Sequence, residues 1–110
     1  MTPGKKRDGG GNFSATEIDR IVHEPARLKI LACLAVVRSA DFLFLERQTG
    51  LTRGNLSSHL NRLETAGYVE IHKEFVDKIP RTLLRLTRRG RLAFDKYRHN
   101  MKQVLDDRPD

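Results

Sequence analysis

The chain has 110 residues, 38% of them hydrophobic, which is enough for one modest core and a single domain. Lys and Arg number 21 against 14 Asp and Glu, a net charge of +7 and an isoelectric point near 10.1, so a polyanionic partner is expected, either nucleic acid or an anionic surface. No apolar run approaches the ~20 residues of a membrane span, and the basic "MTPGKKRDGGGN" has no apolar segment behind it, so neither a transmembrane nor a secreted protein is expected.

In chain order, residues 1–12 are Gly-rich, polar and without periodicity, and are expected to form a flexible basic arm. "SATE" at 14–17 fits a capping box, with Ser14 as N-cap and Glu17 at the third helical position. It predicts a short helix through Ile18, Ile21 and Val22 that "HEP" at 23–25 breaks. Pro25 suits the first turn of a second helix over 25–37, whose Ile30, Leu31, Leu34 and Val37 recur at helical spacing as core. "RSAD" at 38–41 reads as a connection, with Asp41 capping a third helix over 43–49. That helix buries Leu45, with Phe42 and Phe44 beside it, and stops at Gly50.

The stretch "TGLTRGNLSSHLNRLETAGYVEI" at 49–71 carries the most information. Thr52 is the expected N-cap, and Leu51 and Leu56 have the spacing of a hydrophobic staple. Leu56, Leu60 and Leu63 form one narrow apolar stripe, and Gly67 ends the helix. Farthest from the stripe lie Gly54, Ser58, Asn61 and Thr65, flanked by Asn55, Ser57 and Arg62, with Arg53 in the first turn. The outer face is therefore slim and rich in hydrogen-bonding groups. After Gly67 the period changes to two. "YVEIHKEF" (68–75) and "RTLLRLT" (81–87) predict two strands of a hairpin joined by "VDKIP". Thr87 then caps a last helix over 88–105, with Leu92, Ala93, Tyr97, Met101, Val104 and Leu105 at spacings of three and four.

Helices followed by a hairpin and a closing helix, with a tight turn before the polar helix, predict a mostly α fold with a small β-hairpin. This α+β pattern is a winged helix-turn-helix with flanking N- and C-terminal helices, in a single domain over 13–105 with a tail at 106–110. Residues 21–97 resemble small winged-helix transcriptional regulators related to the MarR and ArsR families. "LTRGNLSSHLNRLETAGYVE" stands in the recognition-helix position, and "PRTLLRLTRRGR" resembles the wing's return strand and the entry to the last helix. The resemblance implies a recognition helix in the major groove, with Arg53, Gly54, Asn55, Ser57, Ser58, Asn61 and Arg62 at the DNA. It also implies a wing on the backbone or minor groove, with Lys78 and Arg81 as its contacts. A groove about 12 Å wide favours just such a slim helix with polar tips.

The charge follows the same division. Residues 1–52 carry a net +2, residues 53–105 a net +7, and the last five residues −2. Each polar residue on the outer face has an ordinary alternative as solvated surface, and Gly54 as a site of close packing. His59, beside the stripe, reads as a structural hydrogen-bonder rather than a base reader. Cys33 excludes an internal disulfide and reads as a small buried hydrophobe in a reducing compartment. His23, His59, His72 and His99 are scattered and no CxC pair exists, so no metal or other cofactor is expected. No nucleophile–base set, phosphate loop or carboxylate pair marks an enzyme.

The leading expectation is a cytoplasmic, sequence-specific regulator binding double-stranded DNA as a homodimer. No membrane partner is expected, and an effector is possible but not indicated. The alternatives are a winged helix used for protein contacts and non-specific nucleic-acid binding. A protein-contact module would present an apolar or acidic recognition face, which is missing here. Single-strand RNA binding is disfavoured because the 5 Phe and 2 Tyr fall mostly at core positions and there is no Trp. The dimer is expected to pair through Ile18, Ile21, Val22, Tyr97, Met101, Val104 and Leu105, on the view that the domain covers only the first part of the last helix, around Leu92 and Phe94.

Overall fold

The computed structural model describes residues 18–106. The expected arm, the Ser14–Glu17 capping box and the tail beyond Asp106 lie outside the described residues. Seven elements follow in order: α1 (Pro25–Ala35), β1 (Ala40–Asp41), α2 (Phe42–Thr49), α3 (Arg53–Thr65), β2 (Val69–Val76), β3 (Ile79–Leu86) and α4 (Arg88–Asp106). The strands form one antiparallel sheet in the order β1–β3–β2.

Local chemistry sets most of the boundaries. Glu24 caps α1 by accepting from the Arg27 amide at 2.8 Å, with Pro25 in the first turn where a missing N–H costs nothing. Asp41 caps α2 through the Phe44 amide, and Thr52 caps α3 through the Asn55 amide. Gly50 (φ 72°) and Gly67 (φ 83°) end α2 and α3 in the left-handed conformation that side chains resist. At Gly67 the paired bonds Tyr68 N to Leu63 O and Gly67 N to Glu64 O close a Schellman motif, turning the chain directly into β2.

Four expectations need correction. Residues 18–22 form a turn rather than a helix, because the Asp19 carboxylate accepts from the amides of Ile21 and Val22 (2.9 and 3.2 Å). "RSAD" is not merely a connection, since Ala40 and Asp41 pair with Leu84 and Leu83 as β1. The hairpin is also longer and its turn tighter than "VDKIP" implied, with Val76 facing Ile79 across only Asp77 and Lys78. Helix α1 stops at Ala35, two residues early, as the β-branched pair Val36–Val37 begins; Val37 still packs on the core.

The core is a single cluster. Ile30, Leu31 and Leu34 of α1, Leu45 of α2, the Leu56–Leu60–Leu63 stripe of α3, Val69, Leu84 and Leu86 of the sheet, and Phe94 and Tyr97 of α4 all meet there. One closing contact is steric. A Cβ on Gly90 would lie 2.0 Å from the Tyr68 carbonyl oxygen, so α4 starts against the base of the hairpin only because residue 90 has no side chain. Gly90→Ala is expected to destabilise the fold by about 3 kcal/mol or more, since the obstacle is rigid backbone, as read by a lowered midpoint in denaturant unfolding.

Candidate nucleic-acid interface

Burial of Leu56, Leu60 and Leu63 turns the opposite face of α3 to solvent. Arg53, Gly54, Asn55, Ser57, Ser58, Asn61 and Arg62 are all exposed, as the periodicity predicted. At Gly54 a Cβ would meet nothing within 4 Å, so the glycine is not explained by packing inside the protein. Arg53 is oriented rather than loose. Its guanidinium donates to Glu46 at 3.2 Å and stands over the Phe42 ring at 5.6 Å.

The helix is held from behind by polar ties. Arg27, only 8% exposed, donates from Nε to the Ile21 carbonyl (2.6 Å), and its Nη1 lies 3.1 Å from His59 Nδ1. The planar guanidinium ties the 18–24 turn to the flank of α3, with Glu24 Oε1 4.0 Å from the same His59 nitrogen. His59 thus has the structural role its position implied. Burial alone would raise the Glu24 carboxyl, but the Arg27 amide and the nearby His59 and Arg27 hold it below the usual range. Beside this, the Tyr68 hydroxyl donates to Asp19 at 2.5 Å, and burial, reinforced by that carboxylate, pushes the phenol up to about 12. Sequence reasoning missed both ties. The acidic Asp19 just before an apolar pair was the available signal, but its partner lies 49 residues away.

The wing projects beside α3. Pro80, Arg81 and Thr82 share a groove with Arg53 and Ser57 of α3 and with the start of α2, so the two predicted contact regions face one concavity. Lys78 sits at the extreme tip. Asp77 (φ 52°) and Lys78 (φ 67°) both adopt left-handed backbone, the two-residue turn that matches strand twist. Asp tolerates that conformation, whereas a lysine there is held against its preference. Behind the tip, Arg85 pairs with Glu70 at 3.8 Å and His72 with Glu74 at 3.6 Å, while Lys73, Lys78 and Arg81 take no part in an ion pair among the described residues.

The residues assigned to dimerisation do not form one exposed stripe. Val22 is fully buried, and Tyr97 is packed in the core with its hydroxyl 2.7 Å from His23 Nδ1, because the 18–24 turn folds over α4 and covers it. Conversely Leu92, expected to be covered, is 61% exposed: it lies on the face of α4 opposite Gly90 and Phe94. Ile18, Ile21 and Met101 are partly buried against the core, Val104 is half-buried and Leu105 is 70% exposed. Cys33 is half-buried, and burial raises its thiol, as for an unreactive side chain. Among the described residues no three His, Cys, Asp or Glu stand together as a metal site, and no helix is long and apolar enough to cross a membrane.

A tight left-handed turn between α2 and α3, an exposed polar helix and a β-ribbon beside it define a winged helix-turn-helix domain. The chain belongs to the winged helix DNA-binding domain family, whose model matches residues 26–105. It is 35% identical over 85 residues to an uncharacterized protein of Methanocaldococcus jannaschii, covering 77% of this chain and 92% of that one. The structure resembles that of a transcriptional regulator homologue from Pyrococcus horikoshii, with a TM-score of 0.79 and 32% identity over 86% of this chain and 94% of that chain. It also resembles a mutant of E. coli MarR complexed with operator DNA, with a TM-score of 0.62 and 21% identity over 86% and 71% of the two chains; this likeness is one of fold.

Two substitutions separate stability from binding. Gly54→Ala is expected to stabilise the free protein by up to about 0.5–1 kcal/mol in denaturant melts, and a lower affinity in DNA titration is expected if this face meets the duplex. Lys78→Gly removes a left-handed strain of ~1–2 kcal/mol against a chain-entropy cost of ~0.5–1 kcal/mol. The thermal midpoint should hold or rise slightly, and DNA titration should show lower affinity. A Lys78→Gly variant that melts lower and binds unchanged would show the lysine to be a structural residue.

Proposed function

We propose that this protein is a sequence-specific regulator of transcription that binds double-stranded DNA as a homodimer in the cytoplasm, without catalytic activity. The observation that carries this reading is the outer face of α3. It is fully exposed, polar at every position but one, and that one is a glycine which no packing in the protein requires. In this reading α3 enters the major groove. Ser57, Ser58, Asn55 and Asn61 offer hydrogen bonds to base edges or phosphates, Arg62 and the Glu46-oriented Arg53 contact guanine or phosphate, and Lys78 and Arg81 hold the flanking backbone or minor groove. A mutant of E. coli MarR, whose fold this chain shares, is complexed with operator DNA, which supports duplex DNA as the partner.

The dimer is carried by Leu105 with the half-buried Met101 and Val104, and by Ile18 and Ile21 at the edge of the core. Twofold pairing there sets two recognition helices about 34 Å apart on one side of the duplex and calls for a palindromic site.

Selection from a random duplex pool is expected to enrich a palindrome. With about 4–5 phosphates neutralised per protomer, log K against log salt should fall with a slope near −7 to −9. Ser58→Ala or Asn61→Ala should cost ~1–3 kcal/mol of discrimination at one base pair and leave the melting transition unchanged. Val104→Glu with Leu105→Glu should yield a monomer in sedimentation. Salt-independent affinity, or a monomeric parent protein at micromolar concentration, would contradict the corresponding half of the proposal.

A further inference from the structure

The wing tip carries a feature that charge and hydrogen bonding leave unexplained. Beyond the Ile71–Leu84 pair the hairpin runs clear of the core through Lys73–Thr82, Glu74–Arg81, Phe75–Pro80 and Val76–Ile79. Strand alternation puts Phe75 and Pro80 on one face and Val76 and Ile79 on the other. Phe75 is 75% exposed, Ile79 64% and Val76 41%. A ribbon only two strands wide therefore ends in apolar side chains on both faces.

Large apolar groups gathered at a protruding point mark a contact with something outside the protein. Two observations identify it. Around the apolar tip Lys73, Lys78 and Arg81 outnumber Glu74 and Asp77, and Glu74 lies 3.6 Å from His72 while none of the three cations is ion-paired among the described residues, so its partner presents anionic rims around an apolar interior. The tip is also continuous with the α3 face, through the groove that Pro80, Arg81 and Thr82 share with Arg53 and Ser57. The minor groove of a duplex whose major groove holds α3 has that chemistry, with phosphates at its edges and sugar walls and base edges between them.

Resting on the DNA-binding reading above, the structure assigns the Phe75–Pro80 tip as an apolar wedge that opens the minor groove flanking each half-site. Strands ~4.8 Å apart with side chains on both faces make a ribbon broader than the ~6 Å groove of B-DNA. Entry therefore widens the groove and partly unstacks a base step, as apolar minor-groove side chains do elsewhere. Pyrimidine–purine steps yield most readily, so the tip contributes specificity through deformability, at base pairs to which it makes no hydrogen bond.

The test uses duplexes that the full chain enriches from a random pool, carrying 2-aminopurine at successive positions outward from the half-site. The expected result is a several-fold fluorescence rise at one step on each flank, with TA or CA enriched there. A Phe75→Ser, Ile79→Ser double variant alters only exposed positions. It should melt like the parent, keep the half-site sequence, lose the rise and the flanking enrichment, and bind about tenfold more weakly. No rise with the parent on DNA that it does select overturns the wedge and leaves the regulator reading standing, as does a rise that survives in the double variant. A change in the sedimentation of the DNA-free protein on double substitution overturns it in favour of a tip that joins protein copies. A pool in which nothing is enriched removes the sequence-specific reading and the wedge with it.

Discussion

The close approach of Gly90 to the Tyr68 carbonyl is the constraint on which the geometry of the domain depends. At that point the recognition helix ends, the wing begins and the last helix starts. The Tyr68 carbonyl accepts from the Thr87 amide at 3.0 Å, while the Thr87 hydroxyl donates to the Gly67 carbonyl (2.6 Å) and accepts from the Gly90 amide (2.9 Å). One hydroxyl, used in both its hydrogen-bonding senses, thus satisfies the exit of α3 and the entry of α4. Both wing strands depart from the same place, β2 at Val69 and β3 at Leu86. The angle between α3 and the wing is fixed within a few residues, and that angle is what lets Arg53 and Arg81 line one groove.

A second set of ties orients the helix about its own axis. The Leu56–Leu60–Leu63 stripe buries one side but is narrow, and an apolar stripe alone tolerates some rolling. The 18–27 segment restricts this with directional bonds, from Asp19 to Tyr68, His23 to Tyr97 and Arg27 to His59. Burying a guanidinium is costly unless its donors are met. Arg27 meets that condition at the Ile21 carbonyl and at His59, beside Glu24. The same segment touches α3, the base of β2 and α4. A shift of α4 would therefore be felt at His59, on the flank of the face that α3 presents.

How far the sequence revealed this depended on the distance between interacting residues. The cap, stripe and stop of α3 involve contacts within a few helical turns of one another, and Thr52, Leu60 and Gly67 declare them locally. The exposed face follows by geometry, so the exposure of Arg53, Gly54, Asn55, Ser57, Ser58, Asn61 and Arg62 was legible. The turn at 18–22 was not, because Ile18, Ile21 and Val22 match helical spacing and the competing bonds come from a side chain whose other partner is Tyr68. Tyr97 was misplaced for a related reason: periodicity shows which residues of α4 share a face, but not that the chain 74 residues earlier covers it. β1 exists only because β3 offers it a partner. Phe75 continues the phase of Val69 and Ile71 and so reads as core, and only the length of the hairpin shows that no core extends that far.

Three departures from the rules of stable folding fall on one surface, although exposed apolar side chains also stand at Val36, Leu92 and Leu105. Gly54 stands on the outer face of α3 with open space about it, where an alanine would make the better helix. Lys78 occupies left-handed backbone where glycine is usual, and Phe75 and Ile79 stand in water at the end of a ribbon. Elsewhere the caps, the left-handed glycines and the buried leucines conform. All three departures lie on the surface formed by α3 and the wing, which the shared groove makes continuous. Each weakens the free protein slightly, and each is suited to a surface that another molecule completes: room for a backbone at Gly54, a cation at the turn, apolar area at the tip. Marginal stability leaves little room for such departures, and the free energy of a contact completed on this face would offset the three that share it.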